Sequence, residues 1–274
     1  MVTIESPLVS SQWLNQNLNA SNIVILDASI LKVTDNNSLE ETKQIPNSRF
    51  FDLKNKFSDV SAKFPSTVPS VKQFTNEAQK LGINKESAIV IYDDKGIYSS
   101  ARAWYLFKAF GFNNVAVLDG GLPEWKKKNF QIEDKTSLEF ERGNFEGSYN
   151  SEYFKFFDEL KSISNDFKCL ILDARSAKRF KGVIPEPRKG LRSGTIPNSK
   201  NLPFTDLING NCLKSNEELT AIFNNLAKPD KKLIFSCGSG ITACILALAA
   251  EMANYKNLSV YDGSWTEYGS LTKQ

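Results

Sequence analysis

The sequence has 274 residues, of which 41% are hydrophobic and 24% are charged, and its formal net charge is +3. This composition is typical of a globular protein of one or two domains, and so small and evenly spread a positive charge argues against nucleic acid as a partner. The chain contains no histidine, which excludes mechanisms that depend on histidine and removes the commonest metal ligand.

Short apolar segments alternate with helical segments along the whole chain. Predicted strands cover 23–27, 89–92, 115–118, 169–173, 232–236 and 258–261. Predicted helices cover 10–18, 70–81, 99–110, 151–162, 216–226 and 241–253. Apolar strands without polar alternation, separated by helices, indicate parallel sheets that are buried on both faces. We therefore expect an α/β fold.

The two halves of the sequence contain the same motifs in the same order. Four segments (24–29, 45–50, 89–93 and 117–125) match four later segments (170–175, 196–201, 233–237 and 260–265). Matches in register indicate a duplicated domain. We expect an N-terminal domain over 1–135, a polar connection over 136–148 and a C-terminal domain over 149–274. The first half has Asp93 where the second has Cys237, so only the second domain carries a thiol there.

The most informative segment is the loop that begins at Cys237. It follows the apolar run 233–236, contains Gly238 and Gly240, and leads into a helical segment of small and apolar residues. A thiol at such a strand–loop–helix junction faces backbone N–H groups and the positive end of the helix dipole. Both effects favour thiolate over thiol, which makes Cys237 a candidate nucleophile. The alternative is a small buried core residue.

The other cysteines and the N-terminal segment give no sign of export. Cys169 and Cys244 fit core positions, Cys212 lies in a turn, and no pair has Cys-x-x-Cys spacing, so we expect neither a disulfide framework nor a zinc site. The N-terminal segment has no basic and apolar regions of a signal peptide, and no stretch approaches the ~18 apolar residues of a membrane span. We expect a cytoplasmic protein that does not bind membranes.

Four segments together resemble the rhodanese superfamily, specifically its two-domain sulfurtransferases. They are the Leu-Asp-Ala-Arg strand end at 172–175, the segment Gly194–Ser199, the six-residue loop 237–242 and the Asp-Gly-Ser-Trp motif at 262–265. The resemblance covers nearly the whole chain. It implies two tandem rhodanese-like domains, each a parallel sheet with helices on both faces, of which the N-terminal one lacks the catalytic cysteine.

The sequence of the loop 237–242 resembles one branch of this superfamily more than the other. Thiosulfate enzymes typically have Cys-Arg-Lys-Gly-Val-Thr, and 3-mercaptopyruvate enzymes have Cys-Gly-Ser-Gly-Val-Thr, whereas this chain has Cys-Gly-Ser-Gly-Ile-Thr. Arginines in segments matching 177–188 hold the carboxylate and keto group in the mercaptopyruvate enzymes, and guanidinium groups suit such paired oxygens. The implied catalytic residues are Cys237, Ser239 and Thr242, and the implied substrate-binding residues are Arg179, Arg188, Gly238, Gly240 and Ile241, with no metal.

The resemblance implies a sulfurtransferase that moves sulfane sulfur from 3-mercaptopyruvate to an acceptor through a persulfide on Cys237 and releases pyruvate. The implied acceptors are a thiol such as thioredoxin, a small thiol, or cyanide, and no cofactor is implied. Related enzymes have a histidine and an aspartate from the first domain beside the loop serine. The matching stretch 58–67 contains no histidine, so we interpret Ser239 as a hydrogen-bond donor.

Three alternative functions fit the same loop. A thiosulfate:cyanide sulfurtransferase would use the same fold and the same covalent intermediate. A cysteine phosphatase would need an arginine six residues after the cysteine, where this chain has Ala243. A non-enzymatic sulfur carrier or redox-sensing module would take up persulfide without turnover.

Overall fold

Two five-stranded parallel sheets with the same strand order form the framework of the protein. The structure is a computed structural model that describes residues 1–31, 41–136, 138–163, 166 and 168–273. The strands of the first sheet, in spatial order, are β1 (Leu8–Val9), β6 (Val115–Leu118), β5 (Ala88–Tyr92), β2 (Ile23–Asp27) and β4 (Arg49–Phe50). The strands of the second are β8 (Phe154–Lys155), β14 (Leu258–Tyr261), β13 (Lys232–Ser236), β9 (Cys169–Asp173) and β10 (Ser199–Asn201).

The remaining elements are helices and two short antiparallel pairs. The pairs are β3 (Lys43–Gln44) with β7 (Glu133–Asp134), and β11 (Ile208–Asn209) with β12 (Cys212–Leu213). The α-helices are α1 (Ser11–Asn17), α2 (Val71–Lys80), α3 (Ser100–Ala109), α4 (Gly121–Lys127), α5 (Phe157–Ile163), α6 (Ala177–Phe180), α7 (Asn216–Asn224), α8 (Ala243–Met252) and α9 (Ser264–Leu271), and a 3₁₀ helix covers Phe204–Leu207. No helix among the described residues is long and apolar enough to cross a membrane.

Helices cover both faces of each sheet, as the sequence predicted. The outer faces carry α1 and α4 on the first sheet and α5 and α9 on the second. The inner faces carry α2 and α3 on the first sheet and α7 and α8 on the second, and these helices share one apolar core. Helices α3 and α8 pack against each other across the domain boundary. The α/β class and the duplication are therefore confirmed.

Strand β5 shows why the central strands have no polar alternation. Its side chains point alternately to the two faces, so Ile89 and Ile91 join the shared core while Val90 and Tyr92 pack on the outer helices. Every residue of this strand is buried. A strand covered on both sides needs apolar residues at consecutive positions, and this is the pattern that indicated a parallel sheet.

The start of the helix predicted over 151–162 was wrong. Helix α5 begins at Phe157, and the preceding residues 154–155 form the edge strand β8, which pairs with Val260 and Tyr261 of β14. The ring of Phe154 is fully buried and lies under the guanidinium group of Arg102, 4.5 Å from it. This tertiary contact holds the segment extended.

The segment that connects the two sheets packs closely on the first one. The N–H group of Gly143 donates to the carbonyl of Gln79 (2.8 Å), and that of Phe145 donates to the carbonyl of Ile83 (3.0 Å). The Phe145 ring is 1% exposed. The connection predicted over 136–148 thus lies against the first sheet where it is described, and the domain limits at 135 and 149 stay a prediction.

A buried ion pair joins the two domains. Nη2 of Arg102, on α3, lies 2.6 Å from the Asp262 carboxylate, and both side chains are at most 2% exposed. The same nitrogen donates to the carbonyl of Ser66 (2.8 Å), and the second carboxylate oxygen of Asp262 accepts from the N–H of Val68 (2.9 Å). These bonds give each buried charge a partner of opposite sign, which a charge removed from water requires, although Nε of Arg102 has no hydrogen-bond partner among the described residues.

We expect Arg102→Ala to lower the free energy of unfolding by about 3–5 kcal/mol, because it leaves the Asp262 carboxylate buried without its partner. The measurement is the urea concentration at the midpoint of unfolding. Lys43→Ala is the control, because its ion pair with Asp134 is exposed on both sides, and such a pair contributes about 0–1 kcal/mol. Equal losses in the two variants would contradict the role of the buried pair.

Candidate active site

Cys237 lies at the carboxyl end of a central strand of the second sheet, where its loop turns into α8. Strand β13 ends at Ser236 and α8 begins at Ala243, so the loop covers residues 237–242. Gly240 has φ +77°, and a Cβ there would lie 2.7 Å from the carbonyl oxygen of Asp262. The fourth position of the loop therefore requires glycine for both its backbone angle and its space.

Ser264 holds the loop 237–242 through hydrogen bonds to its backbone. Its hydroxyl accepts from the N–H groups of Cys237 (3.1 Å) and Gly240 (3.0 Å). It also lies 2.9 Å from the carbonyl of Tyr261 and 4.0 Å from the sulfur of Cys237. The residue has φ +50°, an angle that is uncommon for a residue with a side chain and that marks a constrained position.

The beginning of α9 fixes the carbonyl groups of the loop. The N–H of Trp265 donates to the carbonyl of Cys237 (3.0 Å), and the N–H of Thr266 donates to that of Gly238 (3.0 Å). The Thr266 hydroxyl also donates to the Gly238 carbonyl (2.5 Å). With Ser264, these bonds tie the loop to the Asp-Gly-Ser-Trp segment, so the two motifs act as one structural unit.

A cavity of about 270 Å³ opens over the loop. Its lining includes seven of the eight site residues expected from the sequence: Cys237, Gly238, Ser239, Ile241, Thr242, Arg179 and Arg188. The eighth, Gly240, lies in the loop but not in the cavity wall. The structure therefore brings together a thiol, two hydroxyl groups and two guanidinium groups, an arrangement suited to a small anion that carries an electrophilic atom.

A second cavity of about 510 Å³ adjoins the first on the side of the N-terminal domain. Arg188, Ser239 and Ile241 border both cavities, and the segment 58–66 of the N-terminal domain lines the second. Asp59 lies in this segment, where the hydroxyl and N–H of Ser61 lower the pKa of its carboxyl group. The candidate site thus opens onto a cleft between the two domains.

The two arginines differ in what holds them. Arg179 forms an ion pair with Glu186, which also pairs with Arg175 (2.7 Å). Arg188 makes no ion pair within the described part of the chain. Burial lowers the pKa of Arg188, and the nearby charge of the Cys237 sulfur opposes this fall. Arg188 therefore offers the less compensated positive charge to a bound anion.

The absence of a side chain at Gly238 leaves room for the guanidinium groups of Arg179 and Arg188 beside the loop. A Cβ at this position would lie 3.2 Å from Nη2 of Arg179 and 3.7 Å from Nη1 of Arg188. Any larger side chain would push these groups away from the cavity. The residue is therefore glycine because of its neighbours, since its φ is not in the left-handed region.

The other cysteines are held as neutral thiols. Cys244 is fully buried on α8, and burial raises its pKa to about 12. Burial also raises the pKa of the Cys212 thiol, to about 11, and that of Cys169, which is only partly buried at the start of β9. Within the described residues no group of three histidine, cysteine or carboxylate side chains could hold a metal ion.

Sequence reasoning did not identify Ser264, Glu186, Arg102 or Tyr98 as parts of the site. A signal was present for Ser264, because it follows Asp-Gly in a motif that the first half repeats with Gly121. Both residues have positive φ, +50° and +53°. The repeat also places Tyr98 at the position of Thr242, but it does not show that Tyr98 reaches the cavity of Cys237. No local pattern distinguishes Arg102 or Glu186 from ordinary charged residues, because their contacts come from distant parts of the chain.

We expect Ser264→Ala to lower the free energy of unfolding by about 2 kcal/mol or more. The change leaves the buried N–H groups of Cys237 and Gly240 without their acceptor, and each unsatisfied donor costs about 1–3 kcal/mol. Thermal unfolding measures the loss. Ser270→Ala, on the same helix α9, removes a hydroxyl that bonds only the carbonyl of Thr266 and should cost under about 0.5 kcal/mol. If both variants unfold alike, the Ser264 hydroxyl does not support the loop.

Comparisons with known proteins agree with the fold and the site. The family model of the rhodanese-like domain matches residues 10–128 and again 156–271. The chain is 36% identical to thiosulfate/3-mercaptopyruvate sulfurtransferase 1, mitochondrial, of Arabidopsis thaliana, covering 98% of this chain and 77% of that protein. It is 34% identical to 3-mercaptopyruvate sulfurtransferase of Escherichia coli, covering 96% and 94%.

A solved structure gives the same result over the full length. The crystal structure of SseA from Escherichia coli, a 3-mercaptopyruvate sulfotransferase with the rhodanese fold, superimposes with a TM-score of 0.85 at 31% identity, covering 95% of this chain and 99% of that one. Two matches to the domain model and relatives above 30% identity over nearly the whole chain leave one assignment. The chain belongs to the rhodanese family, in the two-domain group that includes the 3-mercaptopyruvate sulfurtransferases.

Proposed function

We propose that the protein is a sulfurtransferase that takes sulfane sulfur from 3-mercaptopyruvate, carries it as a persulfide on Cys237 and passes it to a thiol or to cyanide. The observation that carries this proposal is the common cavity of Cys237, Arg179 and Arg188, with a neutral loop around the thiol. The names of the relatives from Escherichia coli and Arabidopsis thaliana support the same donor.

The arginines orient the donor. Mercaptopyruvate carries a carboxylate and an adjacent keto oxygen, and a guanidinium fork matches such a planar pair of oxygens. In our proposal Arg188 binds the carboxylate, because its charge is the less compensated, and Arg179, held by Glu186, faces the keto oxygen. The thiol end of the donor then points to Cys237, since a Cβ at the next residue, Gly238, would lie within 3.7 Å of both guanidinium groups.

Sulfur transfer to Cys237 is a displacement at the donor sulfur. The thiolate electron pair forms the S–S bond, the C–S bond of the donor breaks, and its electron pair moves into the enolate of pyruvate. The guanidinium charges stabilise the enolate as it forms, and the hydroxyl groups of Ser239 and Thr242 donate to the anionic sulfur. The enolate finally takes up a proton and leaves as pyruvate.

The second half of the reaction transfers the outer sulfur from the Cys237 persulfide to an acceptor. An acceptor thiolate or cyanide attacks the outer sulfur of the persulfide, and Cys237 leaves as the thiolate. The adjoining cavity of about 510 Å³ gives an acceptor a path to the persulfide from the domain cleft. A small thiol, or the exposed cysteine of a protein such as thioredoxin, fits this role. A cytoplasmic location stays a prediction, because one relative is named as mitochondrial.

Thiosulfate is the second candidate donor, since the Arabidopsis thaliana relative carries both substrates in its name. Thiosulfate is a dianion without a carboxylate, and the loop 237–242 contains no lysine or arginine to meet it. We therefore expect the specificity constant for mercaptopyruvate to exceed that for thiosulfate. A preference for thiosulfate in the same assay would replace the proposed donor and leave the role of Cys237 intact.

We expect Cys237→Ser to abolish sulfur transfer, because the site holds no base that could ionise a hydroxyl. Intact mass after exposure to mercaptopyruvate should rise by one sulfur atom in the original protein and not in the variant, and a reducing thiol should reverse the gain. Cys169→Ser is the matched control and should keep the mass gain. Sulfur uptake by the Cys237→Ser protein would contradict the assignment.

We expect Arg188→Ala to raise the KM for mercaptopyruvate about 10- to 150-fold, since a charge-assisted contact is worth roughly 1.5–3 kcal/mol. Arg179→Ala should also raise this KM, and it should lower stability because the buried Glu186 carboxylate loses one of its two arginine partners and keeps only Arg175. Lys189→Ala, next to Arg188 but outside the cavity lining, is the control. Steady-state kinetics measure the effect, and an unchanged KM in Arg188→Ala would exclude it as the carboxylate ligand.

A further inference from the structure

The N-terminal domain contributes Tyr98 to the cavity of the catalytic cysteine. This residue lines both the cavity over Cys237 and the adjoining one. It stands at the end of the segment 93–98, which follows β5 as the catalytic loop follows β13. The two six-residue loops correspond position by position, and both have a glycine of positive φ in fourth place, Gly96 and Gly240. Tyr98 therefore occupies the position of Thr242 in the other domain.

The carboxyl group of Asp93 holds this loop by accepting hydrogen bonds from its backbone. Its Oδ2 accepts from the N–H groups of Tyr98 (2.8 Å), Ser99 (3.0 Å) and Ser100 (2.9 Å) and from the Ser100 hydroxyl (2.7 Å). Its Oδ1 accepts from the N–H of Lys95 (2.9 Å). Asp93 is fully buried. The first domain thus has a hydrogen-bonded carboxyl group where the second has a thiol, and these bonds hold its loop as far as Tyr98.

The C-terminal domain fixes the other side of Tyr98. Its ring packs edge to face on Phe204, with centroids 6.3 Å apart. The phenol oxygen is close enough to Arg188 for its charge to act on the guanidinium group, as does that of the Cys237 sulfur. One cation therefore lies within electrostatic reach of both the nucleophile and the phenol. Tyr98 thus lines the same cavity as Cys237 and Arg188, where the proposed function places the donor.

The proposed reaction leaves one requirement open. The pyruvate enolate must be protonated, and the chain has no histidine to do this. The three arginines of the cavity hold their protons too firmly, and serine and threonine hydroxyls are too weakly acidic. Among the described residues that line the cavity of Cys237, Tyr98 is left as the side chain that carries a proton at neutral pH and can release it.

We propose that Tyr98 is the general acid of the reaction and protonates the enolate, a proposal that rests on the proposed function. The proton of the phenol moves to the methylene carbon of the enolate, which becomes the methyl group of pyruvate. The electron pair of the O–H bond stays on the phenolate, next to the positive charge of Arg188. Water that enters the open cleft returns the proton to the phenolate before the next turnover. No oxidant, metal or further reactant takes part.

The test is Tyr98→Phe, which keeps the ring on Phe204 and removes only the hydroxyl. Pyruvate release from saturating mercaptopyruvate should slow by about 100-fold or more, the range in which general acids act, with little change in KM. The decline of kcat at alkaline pH, where the phenol loses its proton, should disappear. Tyr153→Phe, a tyrosine outside both cavities, should retain the original rate and pH profile.

A second measurement separates chemistry from structure. Enzyme loaded with persulfide by inorganic polysulfide and then mixed with cyanide forms thiocyanate without an enolate. We expect Tyr98→Phe to form thiocyanate at the original rate. Equal slowing in both assays would make Tyr98 structural and overturn the proposal, as would an unchanged rate of pyruvate release. If the unmodified protein released no pyruvate at all, the proposed function would fail, and the role of Tyr98 with it.

Discussion

The buried ion pair between Arg102 and Asp262 is the contact on which the active site depends. Arg102 comes from α3 of the first domain, and Asp262 begins the motif that leads to Ser264. The carbonyl of Asp262 leaves room only for glycine at position 240, and Ser264 binds the N–H groups of Cys237 and Gly240. The charge that joins the domains therefore also sets the shape of the catalytic loop.

The duplication has produced two uses of one loop. In the second domain the loop surrounds a thiol that can react. In the first domain Asp93 fills the corresponding place with a carboxylate that accepts from four N–H groups, those of Lys95, Tyr98, Ser99 and Ser100. These hydrogen bonds hold the loop, which has no thiol to react. Tyr98 at the end of this loop lines the cavity of Cys237, so the first domain takes part in the site without a nucleophile of its own.

Among the arginines of the cleft, Arg188 keeps a positive charge that no ion pair among the described residues neutralises. Glu186 neutralises part of the charge of Arg175 and Arg179, and Asp173 pairs with Arg175 as well. The ring of Trp265 lies 4.7 Å from the Arg175 guanidinium, so that group supports the wall of the cavity. Arg188 lacks such a partner among the described residues, and it also feels the charges of Cys237 and Tyr98. The cleft therefore keeps one guanidinium group available to an anion beside the Cys237 sulfur.

The sequence by itself determined the α/β class, the duplication and the position of Cys237 in its loop, because these follow from local patterns: consecutive apolar residues in strands, glycines in the loop and motifs repeated in register. It pointed to Arg179 and Arg188 only through the resemblance to a known family. It misplaced the start of α5, since Phe154 is held extended by Arg102. Only the tertiary structure decided the roles of Arg102, Ser264 and Tyr98. Arg102 and Asp262 meet across the domain boundary, Ser264 binds a loop 24 to 27 residues before it, and the repeat gives the loop position of Tyr98 without showing that it lines the cavity of Cys237. Which distant residues meet depends on how the elements pack, and local patterns in the chain do not show this.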